Sequence, residues 1–142
     1  MNSITEFENE YYFLSNFYEV SIEYDGLTYG SSEAAFQAQK CMTNEEKLAF
    51  TKYNPDESKI AGKRVNLRSD WEDVKIRIME EILRAKFTQH KDIAERLIST
   101  GDKILIEGND WGDVFWGADS QTGEGENHLG EILMKIRGEL NA

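Results

Sequence analysis

Apolar residues recur at helical spacing in several segments of this chain, most clearly between positions 69 and 87. One face of that segment carries Trp71, Val74, Ile78, Met79, Ile82, Leu83, Ala85 and Phe87. Ser69 and Glu72, at its start, have the spacing of a capping box, in which two side chains satisfy free backbone N–H groups of a helix end. So broad an apolar stripe predicts a long helix with one face in the core.

Shorter helices are predicted on both sides of this segment. Their approximate ranges are 32–42, 44–53, 56–63, 91–99 and from about 127 onward. Pro55 is the only proline, and it separates the second of these helices from the third because proline interrupts a continuing helix. The buried face of the last helix is predicted to consist of Leu129, Ile132, Leu133, Ile136 and Leu140.

Strand patterns are fewer and shorter. Residues 19–24 and 27–29 flank Asp25-Gly26, a dipeptide typical of two-residue turns, so a β-hairpin is predicted there. Positions 103–107 alternate as a short strand does, whereas 109–126 shows no period. The pattern predicts an α+β fold: a single, mostly helical domain over residues 1–142 with a small antiparallel sheet.

The composition changes this picture chiefly through charge. Of 142 residues, 16 are basic and 27 acidic, and the net charge of −11 disfavours binding of extended duplex nucleic acid through a broad basic surface. No segment has the apolar length of a signal peptide or a membrane span. Cys41, the only cysteine, excludes an internal disulfide and is expected to be a buried thiol in a reducing compartment. We therefore expect a cytoplasmic protein with no membrane partner.

Glu33 is the first candidate for chemistry. It follows Gly30-Ser31-Ser32, which is a helix-start signal, but Ala34 and Ala35 occupy the positions where a capping box would need its Glu. Glu33 then lies in the first helical turn, where free N–H groups favour an ionised carboxylate. Simple complementation of the helix dipole and a functional carboxylate are both consistent with this position.

The loop at 111–119 is the second candidate. It places Trp111 and Trp116 close to Asp113 and Asp119 between glycines, which suits stacking on a planar base and hydrogen bonding by carboxylates. A satellite hydrophobic cluster with solvated acids is the alternative. The acid spacing does not match a calcium loop.

Two further segments suit phosphate or sugar. Asn127 is predicted to be the N-cap of the last helix, and the glycines before it would let a phosphate or ribose approach the backbone. Lys63, with Arg64 and Arg68, forms either a phosphate clamp or a solvated surface patch. The histidines are too few and too scattered for a metal site, so no metal is expected.

An ordered series of motifs resembles the NADAR family of YbiA-like N-glycosidases. In chain order the motifs are Phe13–Tyr18, Asp25–Tyr29, Ser31-Ser32-Glu33, Phe36–Lys40, Asp70-Trp71 with Lys86-Phe87, Asp113–Gly117 and Gly125–Gly130. Together they extend over most of the chain. Gly30 stands where the family usually has Pro, and Ala34-Ala35 where it commonly has His-Tyr; these departures bear on substrate identity.

The resemblance implies an enzyme that hydrolyses the C–N glycosidic bond of a ribosylated or ADP-ribosylated base. The substrate would be a small nucleotide-like molecule: a ribosylamino-pyrimidine phosphate of riboflavin synthesis, or ADP-ribosyl-guanine. No cofactor is implied. Glu33 would be catalytic, with Asp113 assisting departure of the base. The expected binding residues are Asn16, Phe17, Lys63, Trp71, Trp116 and Asn127.

A non-catalytic module that binds NAD or ADP-ribose is the alternative. It would use the same aromatic and asparagine positions but would not need a carboxylate at the reacting carbon. The sequence does not indicate an oligomeric state.

Overall fold

The computed structural model describes residues 2–142 and divides them into two units. One unit consists of residues 2–15 and 90–142, and the other of Asn16–Gln89. Met1 lies outside the described residues, and the single domain over residues 1–142 stays a prediction.

The elements follow one another in this order. They are β1 (Ser3–Ile4), a 3₁₀ helix (Asn9–Leu14), β2 (Glu19–Tyr24), β3 (Leu27–Ser31), α1 (Ser32–Ala38), α2 (Asn44–Leu48), a 3₁₀ helix (Ala49–Lys52), α3 (Pro55–Gly62), α4 (Trp71–Gln89), α5 (Lys91–Ser99), β4 (Ile104–Leu105), β5 (Gly108–Asn109), β6 (Ala118–Asp119) and α6 (His128–Leu140). Among residues 2–142, no helix is both long and apolar enough to cross a membrane.

The hairpin of the Asn16–Gln89 unit is confirmed. Strands β2 and β3 are antiparallel, with Tyr24 opposite Leu27. Asp25 and Gly26 between them have φ values of 51° and 88°. Positive φ at both central residues is what the tightest hairpin turns require, and Asp and Gly tolerate it better than other residues.

The helix predicted over 32–42 is shorter in the structure, because α1 ends at Ala38. The following N–H groups of Gln39, Lys40 and Cys41 each bond to the carbonyl three residues earlier, which tightens the chain. The carbonyl of Lys40 then accepts the backbone N–H of Arg68 at 3.0 Å, so the chain leaves the helix to join the segment before α4. Cys41 is buried, as predicted.

The long helix α4 has the buried face that the sequence predicts. Its buried residues are Trp71, Ile78, Met79, Ile82, Leu83, Lys86 and Phe87, whereas Val74 and Ala85 are half-buried. The helix begins at Trp71, one residue later than a cap at Ser69 requires. Lys86 is the unexpected member of this face, since a lysine is seldom buried.

The other unit joins the beginning of the chain to its last third. β1 pairs in parallel with β4, and β5 pairs in parallel with β6, in addition to the predicted antiparallel hairpin. α5 has the predicted bounds, and α6 buries Leu129, Ile132, Leu133 and Ile136, with Leu140 half-buried.

Candidate active site

Glu33 is held at the beginning of α1 with little exposure. The Ser31 side chain caps the helix by accepting the Ala34 N–H at 3.0 Å, so the cap is complete without Glu33. Only 8 % of Glu33 is exposed, and its Oε2 accepts a hydrogen bond from Gln37 Nε2 at 2.8 Å. A carboxylate in this position is therefore oriented by a neighbouring side chain rather than by solvent.

Asn16 is hydrogen-bonded to the first residues of α1. Its carbonyl accepts the backbone N–H of Glu33 at 3.0 Å, and its side-chain oxygen accepts the Ser32 hydroxyl at 2.8 Å. These bonds join residues far apart along the chain. The structure thus brings together two of the predicted site residues, Asn16 and Glu33.

An aromatic and cationic cluster lies along α1. The rings of Phe36 and Trp71 have centroids 5.0 Å apart, and Lys40 Nζ lies 5.9 Å from the Trp71 ring. Burial lowers the pKa of Lys40, and the negative charge of Glu33 opposes that change. Only 5 % of Trp71 is exposed, so its packing against Phe36 is the contact that the structure shows.

Lys63 and Phe17 are also members of this unit. Lys63 is exposed directly after α3, and its charge contributes to lowering the pKa of Lys40. Phe17 is half-buried beside Asn16. Their predicted contacts with substrate stay predictions.

Asp113 belongs to the unit formed by residues 2–15 and 90–142, where its side chain stabilises a loop through hydrogen bonds. Its Oδ1 accepts the backbone N–H groups of Phe115 at 3.2 Å and Trp116 at 2.9 Å. The buried Asn109 side chain donates to the Asp113 carbonyl at 2.9 Å and accepts the Asp113 N–H at 3.1 Å. The loop from 109 to 117 is therefore ordered by its own side chains although it lacks a period.

Trp116 packs in an aromatic cluster. Its ring meets Phe115 edge to face at 4.9 Å, and the Phe115 ring lies 4.5 Å from that of His128. The backbone N–H groups of His128 and Leu129 bond to the Phe115 and Trp116 carbonyls at 3.2 and 2.9 Å. The cluster thereby joins the loop to the start of α6.

Asn127 occupies the predicted N-cap position of α6 but does not cap the helix with its side chain. Its Oδ1 accepts the Glu107 N–H at 3.0 Å, and its Nδ2 donates to the Leu105 carbonyl at 2.9 Å. Its φ of 52° is left-handed, which Asn tolerates. A side chain on Gly130 would overlap the Leu105 carbonyl oxygen, so that glycine is required for this close approach.

Asn127→Ala is expected to lower the free energy of unfolding by roughly 3–4 kcal/mol, measured by urea denaturation. About 1 kcal/mol comes from each lost hydrogen bond, and about 1–2 kcal/mol from placing Ala in a left-handed conformation. Asn127→Gly keeps the backbone permissive and should recover only the second contribution. Equal stability of wild type and Asn127→Ala would show that the hydrogen bonds from the Asn127 side chain to Leu105 and Glu107 do not stabilise the fold.

Sequence reasoning gave no role to three residues that contact predicted site residues: Gln37 and Lys40 in the Asn16–Gln89 unit, and Asn109 in the other. Gln37 follows Glu33 by one helical turn, and that spacing alone places the two side chains on the same face. Lys40 ends the Phe36–Lys40 motif of the resemblance but was given no role, and Asn109 carried no local signal. Among residues 2–142, no group of three or more His, Cys, Asp or Glu side chains is placed to hold a metal ion.

The predicted site residues divide between the two units. Asn16, Phe17, Glu33, Lys63 and Trp71 belong to the Asn16–Gln89 unit, and Asp113, Trp116 and Asn127 to the other. That all of them form one pocket stays a prediction.

Comparison with known proteins places these features in a family. Residues 4–141 match the NADAR domain. The chain is 35 % identical to N-glycosidase YbiA of Escherichia coli, over 93 % of this chain and 83 % of that protein. It is 38 % identical to the riboflavin biosynthesis protein VVA0006 of Vibrio vulnificus, over 90 % of this chain but 35 % of that protein. The solution structure of E. coli YbiA superposes with a TM-score of 0.84, at 31 % identity, covering 99 % of this chain and 89 % of that one.

Proposed function

Since this chain belongs to the NADAR family and is a hydrolase of N-glycosyl bonds like its YbiA relatives, we propose that it releases the base from a small ribosylated or ADP-ribosylated molecule. Glu33 is the residue proposed to carry the reaction. The supporting observation is its low exposure together with the hydrogen bond from Gln37, because a preorganised carboxylate is what this chemistry needs.

The reaction breaks the bond between ribose C1′ and a nitrogen of the base. The bonding electron pair leaves with the base, which takes up a proton, and water adds its oxygen to C1′ and loses a proton. C1′ becomes cationic in the transition state, so a nearby carboxylate stabilises it or accepts the proton of the attacking water. Glu33 suits either role because it is an anion of fixed orientation.

The remaining predicted residues have roles in this proposal that follow from their chemistry. The indole of Trp116 offers a planar face for a base, Asn16 offers an amide for ribose hydroxyls, and Lys63 offers a cation for phosphate. Trp71 is 5 % exposed and the Asn127 amide bonds to Glu107 and Leu105, so their proposed role is to shape the walls of the site. Phe17 adds apolar surface beside Asn16. Asp113 is the proposed second carboxylate, and its distance from Glu33 would decide between inversion and retention at C1′.

The substrate is proposed to be of nucleotide size. The net charge of −11 works against an extended duplex, whereas one or two phosphates can be met by local cations such as Lys63 and Lys40. The name of the Vibrio relative suggests an intermediate of riboflavin synthesis. An ADP-ribosylated guanine nucleotide is the other candidate of this size.

A substrate screen tests the proposal. Purified protein is incubated with ribosylamino-pyrimidine phosphates, ADP-ribosylated guanine nucleotides and NAD, and free base is measured by chromatography. We expect release from one of these classes, and release slower by about 10²–10⁴-fold from Glu33→Gln. Saturable binding of ADP-ribose or NAD without release from any compound would support the binding module instead.

A further inference from the structure

Gln37 makes a contact with Glu33 that capping and core packing do not explain. Both residues are 8 % exposed on one face of α1, and Gln37 Nε2 donates to Glu33 Oε2 at 2.8 Å. An amide N–H donates to an ionised carboxylate more strongly than to a neutral acid, so this bond favours the charged form of Glu33.

The other end of the same amide is unusual. Gln37 Oε1 is buried and accepts no hydrogen bond from residues 2–142. It lies against Gly62 at the end of α3, where any side chain would overlap it. A buried acceptor without a partner costs about 1–3 kcal/mol, so the arrangement needs a compensating contact.

The bond to Glu33 supplies that compensation. Turning the amide over would bring its oxygen against the Glu33 carboxylate, and two acceptors repel each other. Gly62 leaves room for Oε1 but offers no side-chain group to bond it. The Gln37 amide thus donates a hydrogen bond to the Glu33 carboxylate on one side and packs against Gly62, which has no side chain, on the other.

We propose that Gln37 is a positioning residue, which fixes the Glu33 side chain in one orientation and keeps it ionised. This inference rests on the proposed function of Glu33. It assigns Glu33 the part of a charge stabiliser or base for water, and it requires another group to give the departing base its proton.

Charged groups of both signs lie around the pair. Lys40 carries a positive charge that interacts with Glu33, and Lys63, Lys75 and Glu72 act on Lys40 from the elements packed beside α1. From the hairpin, the Tyr29 hydroxyl meets Gln39 rather than Glu33. Gln37 donates a hydrogen bond to the carboxylate and has no charge of its own.

Gln37→Met tests the proposal, since it keeps the length of the side chain and removes its polar atoms. We expect kcat to fall about 10–100-fold, the effect of losing one hydrogen bond to a charged group, while KM changes little. The acidic limb of the kcat–pH profile should move to higher pH by about one unit, because Glu33 loses a bond to its charged form.

Two further variants separate positioning from simple destabilisation. Gly62→Ala keeps the Gln37 residue but puts a methyl group where its Oε1 lies, which displaces the amide from Glu33. The acidic limb of the kcat–pH profile should therefore again move to higher pH. Gln39→Met is the matched control, because Gln39 is a buried glutamine next to α1 that bonds Tyr29 and Ala35 but not Glu33. Its acidic limb should stay where it is in wild type.

The Glu33 carboxyl carbon, followed by ¹³C NMR titration, makes the outcome independent of turnover. A higher titration midpoint in Gln37→Met than in wild type supports positioning even if no substrate is hydrolysed, in which case the proposed function alone fails. An unchanged midpoint and acidic limb in Gln37→Met, with activity retained in wild type, would overturn the positioning role and leave the proposed function standing.

Discussion

Glu33→Gln is expected to lower turnover by about 10²–10⁴-fold, the usual contribution of a general base or a charge-stabilising group. The substitution preserves the shape of the side chain and an oxygen that can accept the Gln37 N–H, but it removes the negative charge at C1′. KM should change much less, because binding is assigned to other residues. Rates of base release at saturating substrate provide the measurement.

Stability provides the first control for this variant. Loss of a charge in the first turn of α1 should cost less than ~1 kcal/mol, so the protein should stay folded. Glu45→Gln makes the same change in the first turn of α2, at an exposed residue, and should leave turnover unaffected. A folded Glu33→Gln protein with near-normal base release would assign Glu33 to helix-dipole complementation. The catalytic carboxylate would then have to be Asp113 or Asp119.

Lys86→Met is expected to change how stability depends on pH. Burial lowers the pKa of Lys86 to about 7, and its side chain lies fully buried over the rings of Tyr18 and Phe87. The unfolded chain holds this proton up to about pH 10.4. Between these values the unfolded state binds more protons, so the Lys86 contribution makes wild type more stable as pH rises.

The measurement compares free energies of unfolding of wild type and Lys86→Met at pH 6 and pH 9. The free energy of unfolding of wild type minus that of Lys86→Met should increase by roughly 2–3 kcal/mol from pH 6 to pH 9. Comparing the two proteins cancels the opposite effect of Tyr24, Tyr29 and Cys41, whose raised pKa values reduce stability at high pH. Lys59→Met, at an exposed lysine of α3, should show no such change. A difference independent of pH would contradict the effect of burial on Lys86.

Elements stabilised by contacts within one short segment were predicted well. Asp25-Gly26 suits a turn with two positive φ values, and the apolar period of 91–99 gives α5 its observed bounds. Glu33 was identified as a candidate for a related reason. The cap of α1 is formed by Ser31 and Ala34, which are close to Glu33 in sequence. The sequence alone therefore indicated that Glu33 takes no part in this cap.

Most pairings and hydrogen bonds between distant segments were not predicted. The parallel pairing of Ser3–Ile4 with Ile104–Leu105 depends on which strand lies nearby, and two-residue strands carry no period of their own. The partners of Asn127 are Leu105 and Glu107, which helix-capping rules do not consider. Lys86 fits the helical period of a buried position, but its polarity argued for the surface.

The sequence by itself determined the local elements, the α+β class and the place of Glu33 in a first helical turn, because helix starts, tight turns and apolar periods depend on residues a few positions apart. The catalytic role of Glu33 was implied by the resemblance to the NADAR family and stays a prediction. The tertiary structure alone decided what surrounds that carboxylate. The Asn16 carbonyl holds the backbone N–H of Glu33, and the Gln37 side chain lies between the Glu33 carboxylate and Gly62 of another helix. Such contacts depend on how elements pack, and packing selects partners by shape and by unsatisfied hydrogen bonds rather than by spacing along the chain.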